Sequence, residues 1–137
     1  MSSEKILIVE DDPVVMNVLS SQLGSQEYQV TSAATIAEAM AVLRTLAPDL
    51  MILDLTLLDT DPFGGLSDGL AFLAVLRRSY PEASFPVIIH TVDDSPSVAR
   101  RAKACGVFAI FKKGCPIAEL LGAVRQALAQ RQAQAAA

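Results

Sequence analysis

The chain has 137 residues, 52% of them hydrophobic and 19% charged, with a formal net charge of −4 and a mean hydropathy of +0.40. That length suits one ordinary domain with a real core, and no stretch reaches the roughly 18 uninterrupted apolar residues a spanning helix needs. With 11 basic against 15 acidic residues there is no Lys/Arg stripe to neutralise phosphates, which argues against direct nucleic-acid binding by this domain.

The opening MSSEKILIVEDD is acidic within a few residues and carries no cleavable signal pattern, so a soluble, cytoplasmic domain without membrane contact is expected. Residues 5–9 (KILIV) read as a strand buried on both faces, running without a spacer into Glu10, Asp11 and Asp12. Two like charges about 4 Å apart repel by roughly 4 kcal/mol at an effective dielectric near 20. Some partner must offset that repulsion. Asp12-Pro13 supplies an N-cap and a proline at the first helical position, ahead of Val15, Val18, Leu19 and Leu23.

A second strand is expected at 28–33 (YQVTSA), followed by a capping box, Thr35-Ile-Ala-Glu38, that opens a helix through Ala39, Leu43 and Leu46. The third strand, 50–54 (LMILD), ends on Asp54; Ser67 or Asp68 then precedes the helical run GLAFLAVLRR. The fourth strand, 87–91 (VIIHT), ends on Thr91, and Ser95-Pro96 starts a helix that stops at Gly106. The fifth, 107–112 (VFAIFK), is followed by Lys113 and by a last helix opening at Cys115-Pro116. Cys105 and Cys115 lie in no metal-ligand spacing and read as small buried hydrophobes in a reducing compartment. His90 reads as a packed strand residue.

Strict alternation of five strands and five helices implies an α/β fold whose parallel sheet is covered on both faces. Ligands of such sheets bind outside the carboxyl ends of the strands. There the sequence delivers Glu10 and Asp11, Asp54, Thr91 and Lys113 from four separate strands.

ILIVEDDP, PDLMILDL, FPVIIHT and FKKGCPIAELL together resemble the signature stretches of a two-component response-regulator receiver domain, in order and from Lys5 to about Gln130. The resemblance implies a doubly wound, flavodoxin-like sheet of order 2-1-3-4-5, with a receiver domain over residues 1–131 and a low-complexity tail at 132–137 that reads as a fraying helix end. It also implies site roles. Asp54 would be the phosphoryl acceptor. Glu10, Asp11, Asp54 and the backbone carbonyl of Thr56 would hold Mg²⁺, Glu10 through water. Thr91 would hydrogen-bond the phosphoryl group, and Lys113 would pair with it. Lys112 is the rival lysine; the spacing from Gly106 and the following CPIAELL run favour Lys113.

The chemistry is coherent in its own terms. A carboxylate can attack phosphorus and form an acyl phosphate. Donor and acceptor are both anionic, so the transfer needs positive charge, which a hard dication with oxygen ligands and a lysine supply. The repulsion within "EDD" then has its partner, and Asp12 is left for the helix cap. Such a domain is not a conventional enzyme, though it catalyses its own phosphorylation and autodephosphorylation. Its expected partners are a histidine kinase or phosphotransfer protein, with homodimer or effector contacts on the fourth and fifth helix face, where Arg100 and Arg101 lie. The alternative is a receiver-fold interaction module without phosphate-dependent switching.

Several positions depart from the family pattern. Leu58 stands where a proline is usual, and Asp68-Gly69 comes late, which implies an insertion at 57–67 over the rim. Val92 replaces a small residue beside the threonine, Ile110 an aromatic, and Gly114 a proline after the lysine. Thr56 and Asp93, each two positions beyond a site residue, resemble the family's timer on the acyl phosphate. A dehalogenase-like phosphatase built on Asp59 and Asp61 fits poorly, because such a pair should end the first core strand. A flavin site lacks its phosphate loop after the first strand. No output domain is read beyond residue 131, which leaves open a stand-alone regulator or a fragment of a longer chain; the K-x-x-P-x-x-E-L run resembles receivers that precede DNA-binding domains.

Overall fold

A computed structural model describes residues 3–56, 69–80 and 85–136. Strands β1 (Lys5–Val9), β2 (Gln29–Ala33), β3 (Leu50–Leu53), β4 (Val87–Thr91) and β5 (Ala109–Lys112) alternate with helices α1 (Pro13–Ser25), α2 (Ile36–Thr45), α3 (Gly69–Ser79), α4 (Pro96–Ala104) and α5 (Ile117–Ala136). The strands form one sheet in the order β2-β1-β3-β4-β5, every pair parallel. This is the doubly wound order that the resemblance implies. The sheet grows outward in opposite directions from β1 and β3, so their carboxyl ends flank the switch point where ligands bind such folds.

The period-two alternation of side chains explains the continuous apolar runs. Leu7, Val9, Met51, Leu53 and Ile89 face one layer and pack with Ile36, Leu43, Phe72 and Leu73 of α2 and α3. Their neighbours Ile6, Ile8, Leu50, Ile52 and Ile88 face the other, with Leu19 and Leu23 of α1 and Leu120 and Val124 of α5. Both faces of β1, β3 and β4 are thereby dry. Among the described residues the buried polar side chains gather where these strands end, with His90 inside β4 the exception.

The helix starts follow their capping chemistry. Asp12 Oδ1 accepts from the backbone N–H of Val14 at 2.9 Å and of Val15 at 3.5 Å, with Pro13 in the first turn. Thr35 Oγ1 accepts from Glu38 N at 3.0 Å, and the Glu38 carboxylate accepts in return from Ala34 N at 2.7 Å. Ser95 occupies the α4 N-cap, but its side chain makes no cap bond; instead its N–H donates to Asp93 Oδ1 at 3.1 Å.

Some boundaries differ from the sequence expectation. β5 begins at Ala109 rather than residue 107, although Phe108 N already donates to Val87 O at 2.8 Å. Pro116 precedes α5 rather than opening it, and α5 continues through residues 132–136. Cys105 and Cys115 are free but half-buried, not core residues, because each lies in a connection, just after α4 and just before α5. The insertion at 57–67, with Leu58, Asp59 and Asp61, lies outside the described residues, as does Asp68. Among the described residues no helix is long and apolar enough to cross a membrane.

Candidate functional site

The site is built by ladder bonds that run one residue past the strands. Glu10 N donates to Ala33 O at 3.0 Å, Asp54 N to Val9 O at 3.0 Å, and Lys113 N to Thr91 O at 2.8 Å. Those bonds fix the backbones of three polar residues at one rim, next to Thr91 at the end of β4. Glu10 and Asp54 are each only 2% exposed, and Thr91 is fully buried.

Two glycines shape the surroundings. A Cβ on Gly69 would stand 2.5 Å from Leu55 Cα and 2.9 Å from Leu55 O, so α3 reaches the backbone next to Asp54 only because that residue is glycine. Gly114 has φ +98° within a turn closed by Cys115 N donating to Lys112 O at 3.1 Å. The left-handed backbone there suits glycine and is closed to proline, whose φ is fixed near −65°. The departure from the family's usual proline therefore has a backbone cause.

Lys113 Nζ donates to Asp54 Oδ2 at 2.8 Å and to Glu10 Oε2 at 3.0 Å. Lys112, one residue earlier, is exposed. Asp54 Oδ1 accepts from Thr56 N at 2.9 Å, and Glu10 Oε2 also accepts from Asp12 N at 3.1 Å. Glu10 Oε1 lies 2.9 Å from Lys113 Nζ but is not aligned to accept from it, and is a buried oxygen without a hydrogen bond.

Burial is the largest influence on the Glu10 carboxyl and raises it above its ordinary value; the bonds from Lys113 and Asp12 N oppose this, and the Asp54 charge adds to it. Burial would lower Lys113, yet its bonds to Asp54 and Glu10 and their charges prevail and hold the ammonium above its usual value. Lys113 stays a cation.

Ligand oxygens of Glu10, Asp11 and Asp54 lie within 4.8 Å of one another. Three clustered carboxylates, with one ammonium bonded to two of them, leave an excess of negative charge, and Glu10 Oε1, though ion-paired with Lys113, accepts no aligned hydrogen bond. Both features fit a hard dication with oxygen ligands. Asp11, Asp54, Thr56, Val92 and Lys113 line an open cavity of about 380 Å³ beside this cluster, room for a tetrahedral anion and its waters.

Among the positions expected from the sequence to modulate the site, Val92 is 56% exposed at the cavity wall, and Asp93 is exposed with its N–H 3.4 Å from Thr91 Oγ1. Ile110 is half-buried, away from the acids, in a separate groove between α4 and β5. His90, buried on β4, has an Nδ1 without a hydrogen-bond partner. One contact went unread in the sequence: Thr56 Oγ1 and Thr91 Oγ1 are hydrogen-bonded at 3.0 Å. Both positions stand out in the sequence, but nothing in it gives their rotamers.

The family model described as "Response regulator receiver domain" matches residues 6–125. The chain is 32% identical over 122 residues to the methanol utilization control regulatory protein MoxX of Paracoccus denitrificans, which covers 87% of this chain and 51% of that protein. It thus spans about half the length of that relative. The receiver domain of RstA from Klebsiella pneumoniae, solved in a BeF3-activated form, has a TM-score of 0.78 and 29% identity, covering 91% of this chain and 98% of that one. A CheY-like receiver protein from Methanospirillum hungatei superimposes with a TM-score of 0.85 over 97% of this chain and 99% of that one; at 23% identity it speaks for the fold alone.

Proposed function

This chain belongs to the response regulator receiver domain family, and from that premise we propose that it is a phosphorylation-operated switch whose acceptor is Asp54. The observation that carries this reading is the Lys113 ammonium, held 2.8 Å from Asp54 Oδ2 beside two further acids at the carboxyl ends of the strands.

Glu10, Asp11, Asp54 and the Thr56 carbonyl would hold Mg²⁺, which when bound neutralises the acids and the oxygens of the phosphoryl group. The chain's own groups do the rest. A carboxylate oxygen of Asp54 attacks phosphorus, and the bond from phosphorus to the donor breaks with its electron pair leaving on the donor. An acyl phosphate results. Lys113 stays protonated and pairs with the charge on the transferring group. The Thr91 hydroxyl donates to a phosphoryl oxygen. Attack of water on that phosphorus later returns inorganic phosphate and free Asp54.

Donors of matching chemistry are a phosphohistidine on a kinase or phosphotransfer protein, or a small acyl phosphate. Occupancy biases a two-state equilibrium on the α4–β5–α5 face, where Arg100 and Arg101 are exposed to a partner or a second copy. Incubation with acetyl phosphate and Mg²⁺, followed by intact-protein mass spectrometry, tests this reading. Wild type should gain one phosphoryl mass that chelator prevents and that Asp54→Asn lacks. No gain in wild type would leave a receiver-fold interaction module as the better description.

A further inference from the structure

Thr56 reaches both halves of the site. Its N–H donates to Asp54 Oδ1 at 2.9 Å, and its hydroxyl is bonded to that of Thr91 at 3.0 Å. Thr91 is fully buried, while Thr56 is exposed at the cavity wall. The Thr91 oxygen also lies 3.4 Å from Asp93 N–H, so the hydroxyl is held between the segment after β3 and the segment after β4.

We propose that Thr56 is a positioning residue, a latch whose hydroxyl holds the Thr91 hydroxyl and competes with the phosphoryl group for it. The proposal rests on the phosphoryl-acceptor reading of Asp54. Either hydroxyl can be the donor in the pair. The latch is the sense in which Thr91 donates: its one proton cannot serve Thr56 Oγ1 and a phosphoryl oxygen together, so a Thr91 hydroxyl that turns to phosphate gives the bond up. Acceptance of phosphate therefore carries the cost of one broken side-chain bond, and the resting state is favoured by the same amount. A net bond of this kind corresponds to about two- to tenfold in an equilibrium constant. Because the Thr56 main chain touches Asp54, the two strand ends are also tied together until the latch opens.

The test is the affinity of the full chain for beryllofluoride, a phosphoryl mimic, at saturating Mg²⁺. Thr56→Val keeps the shape and removes the hydroxyl, Thr56→Ser keeps the hydroxyl, and each is made alone and with Thr91→Val. We expect Thr56→Val to bind about two- to tenfold more tightly and Thr56→Ser to bind like wild type. Without the Thr91 hydroxyl, the gain from Thr56→Val should vanish. Unchanged or weaker binding by Thr56→Val, or a gain that persists in the Thr91→Val background, would overturn the latch while leaving the acceptor reading intact. Failure of wild type itself to take up beryllofluoride would overturn both. Thr56→Ser guards against a mere packing effect, since it removes the methyl group yet keeps the hydroxyl.

Discussion

Replacing Lys113 by methionine keeps the apolar stem and removes the one cation among three carboxylates. The ammonium lies 2.8 Å from Asp54 Oδ2 and 2.9 Å from Glu10 Oε1, with 17% of its side chain exposed. Breaking a fully buried ion pair costs about 3–5 kcal/mol. Here the rim admits water on one side, so we expect about 2 kcal/mol of lost stability in chelator. Mg²⁺ should respond with the opposite sign. The ammonium repels a dication in the acid cluster, by about 2 kcal/mol for separations near 4 Å in a water-like dielectric. Mg²⁺ should accordingly bind Lys113→Met about tenfold more tightly or better, and restore part of the lost stability. Phosphoryl acceptance should nonetheless fall about 10²–10³-fold, the scale for removing a preorganised charge-stabilising group. Urea denaturation with and without Mg²⁺, calorimetric Mg²⁺ titration and the rate of phosphorylation by acetyl phosphate measure the three effects. A variant that is phosphorylated like wild type, or that binds Mg²⁺ more weakly, would refute the assignment of Lys113 as the site's charge-pairing cation.

Asp11→Asn should weaken Mg²⁺ binding and shrink the rise in thermal midpoint that saturating Mg²⁺ gives wild type, as differential scanning calorimetry would record. Gly69→Ala should destabilise by about 1–3 kcal/mol, because its Cβ meets the Leu55 backbone at 2.5 Å; denaturant titration checks this, and a neutral outcome would show that α3 moves freely beside the site. His90 is the chain's one histidine, and burial, then the Lys113 charge, hold its pKa below the ordinary value against the opposing pull of Asp54. The unfolded chain binds this proton near pH 6.5 and the folded chain only at lower pH, so stability falls as pH drops below about 6.5, by at most about 1.4 kcal/mol per unit. Glu10, whose carboxyl is raised, works with the opposite sign as pH falls further. The difference between wild type and His90→Leu, followed by denaturation from pH 7 to 5.5, isolates the histidine. The two curves should diverge in slope across that range, and parallel curves would contradict the burial of a neutral imidazole.

The layers of the fold were open to reading because they depend on spacing. Ile6 and Leu7 are adjacent in sequence and face opposite cores, and a parallel sheet wrapped on both sides accommodates such runs. The caps at Asp12 and Thr35 were equally plain, since capping is local chemistry. Ser95 shows the limit of that logic: the residue type suits a cap, but Asp93, two residues earlier, takes its N–H and its hydroxyl makes no cap bond. The acids, hydroxyl and amine of the site could be gathered from the sequence because strand ends of this topology converge. What they touch could not. Lys113 bridges Glu10 across 103 residues and Asp54 across 59, and the Thr56–Thr91 bond depends on two rotamers 35 residues apart. The half-buried cysteines escaped for a related reason, since thiol burial follows from the geometry of connections that periodicity does not describe.

The role proposed for Asp54 depends on where phosphorus is bonded. After treatment with acetyl phosphate and Mg²⁺, borohydride reduces an acyl phosphate and leaves homoserine in place of the modified aspartate, which peptide sequencing by mass spectrometry locates. We expect homoserine at position 54 and nowhere else. Homoserine at position 11, 59 or 61, or an unmodified chain, would contradict it.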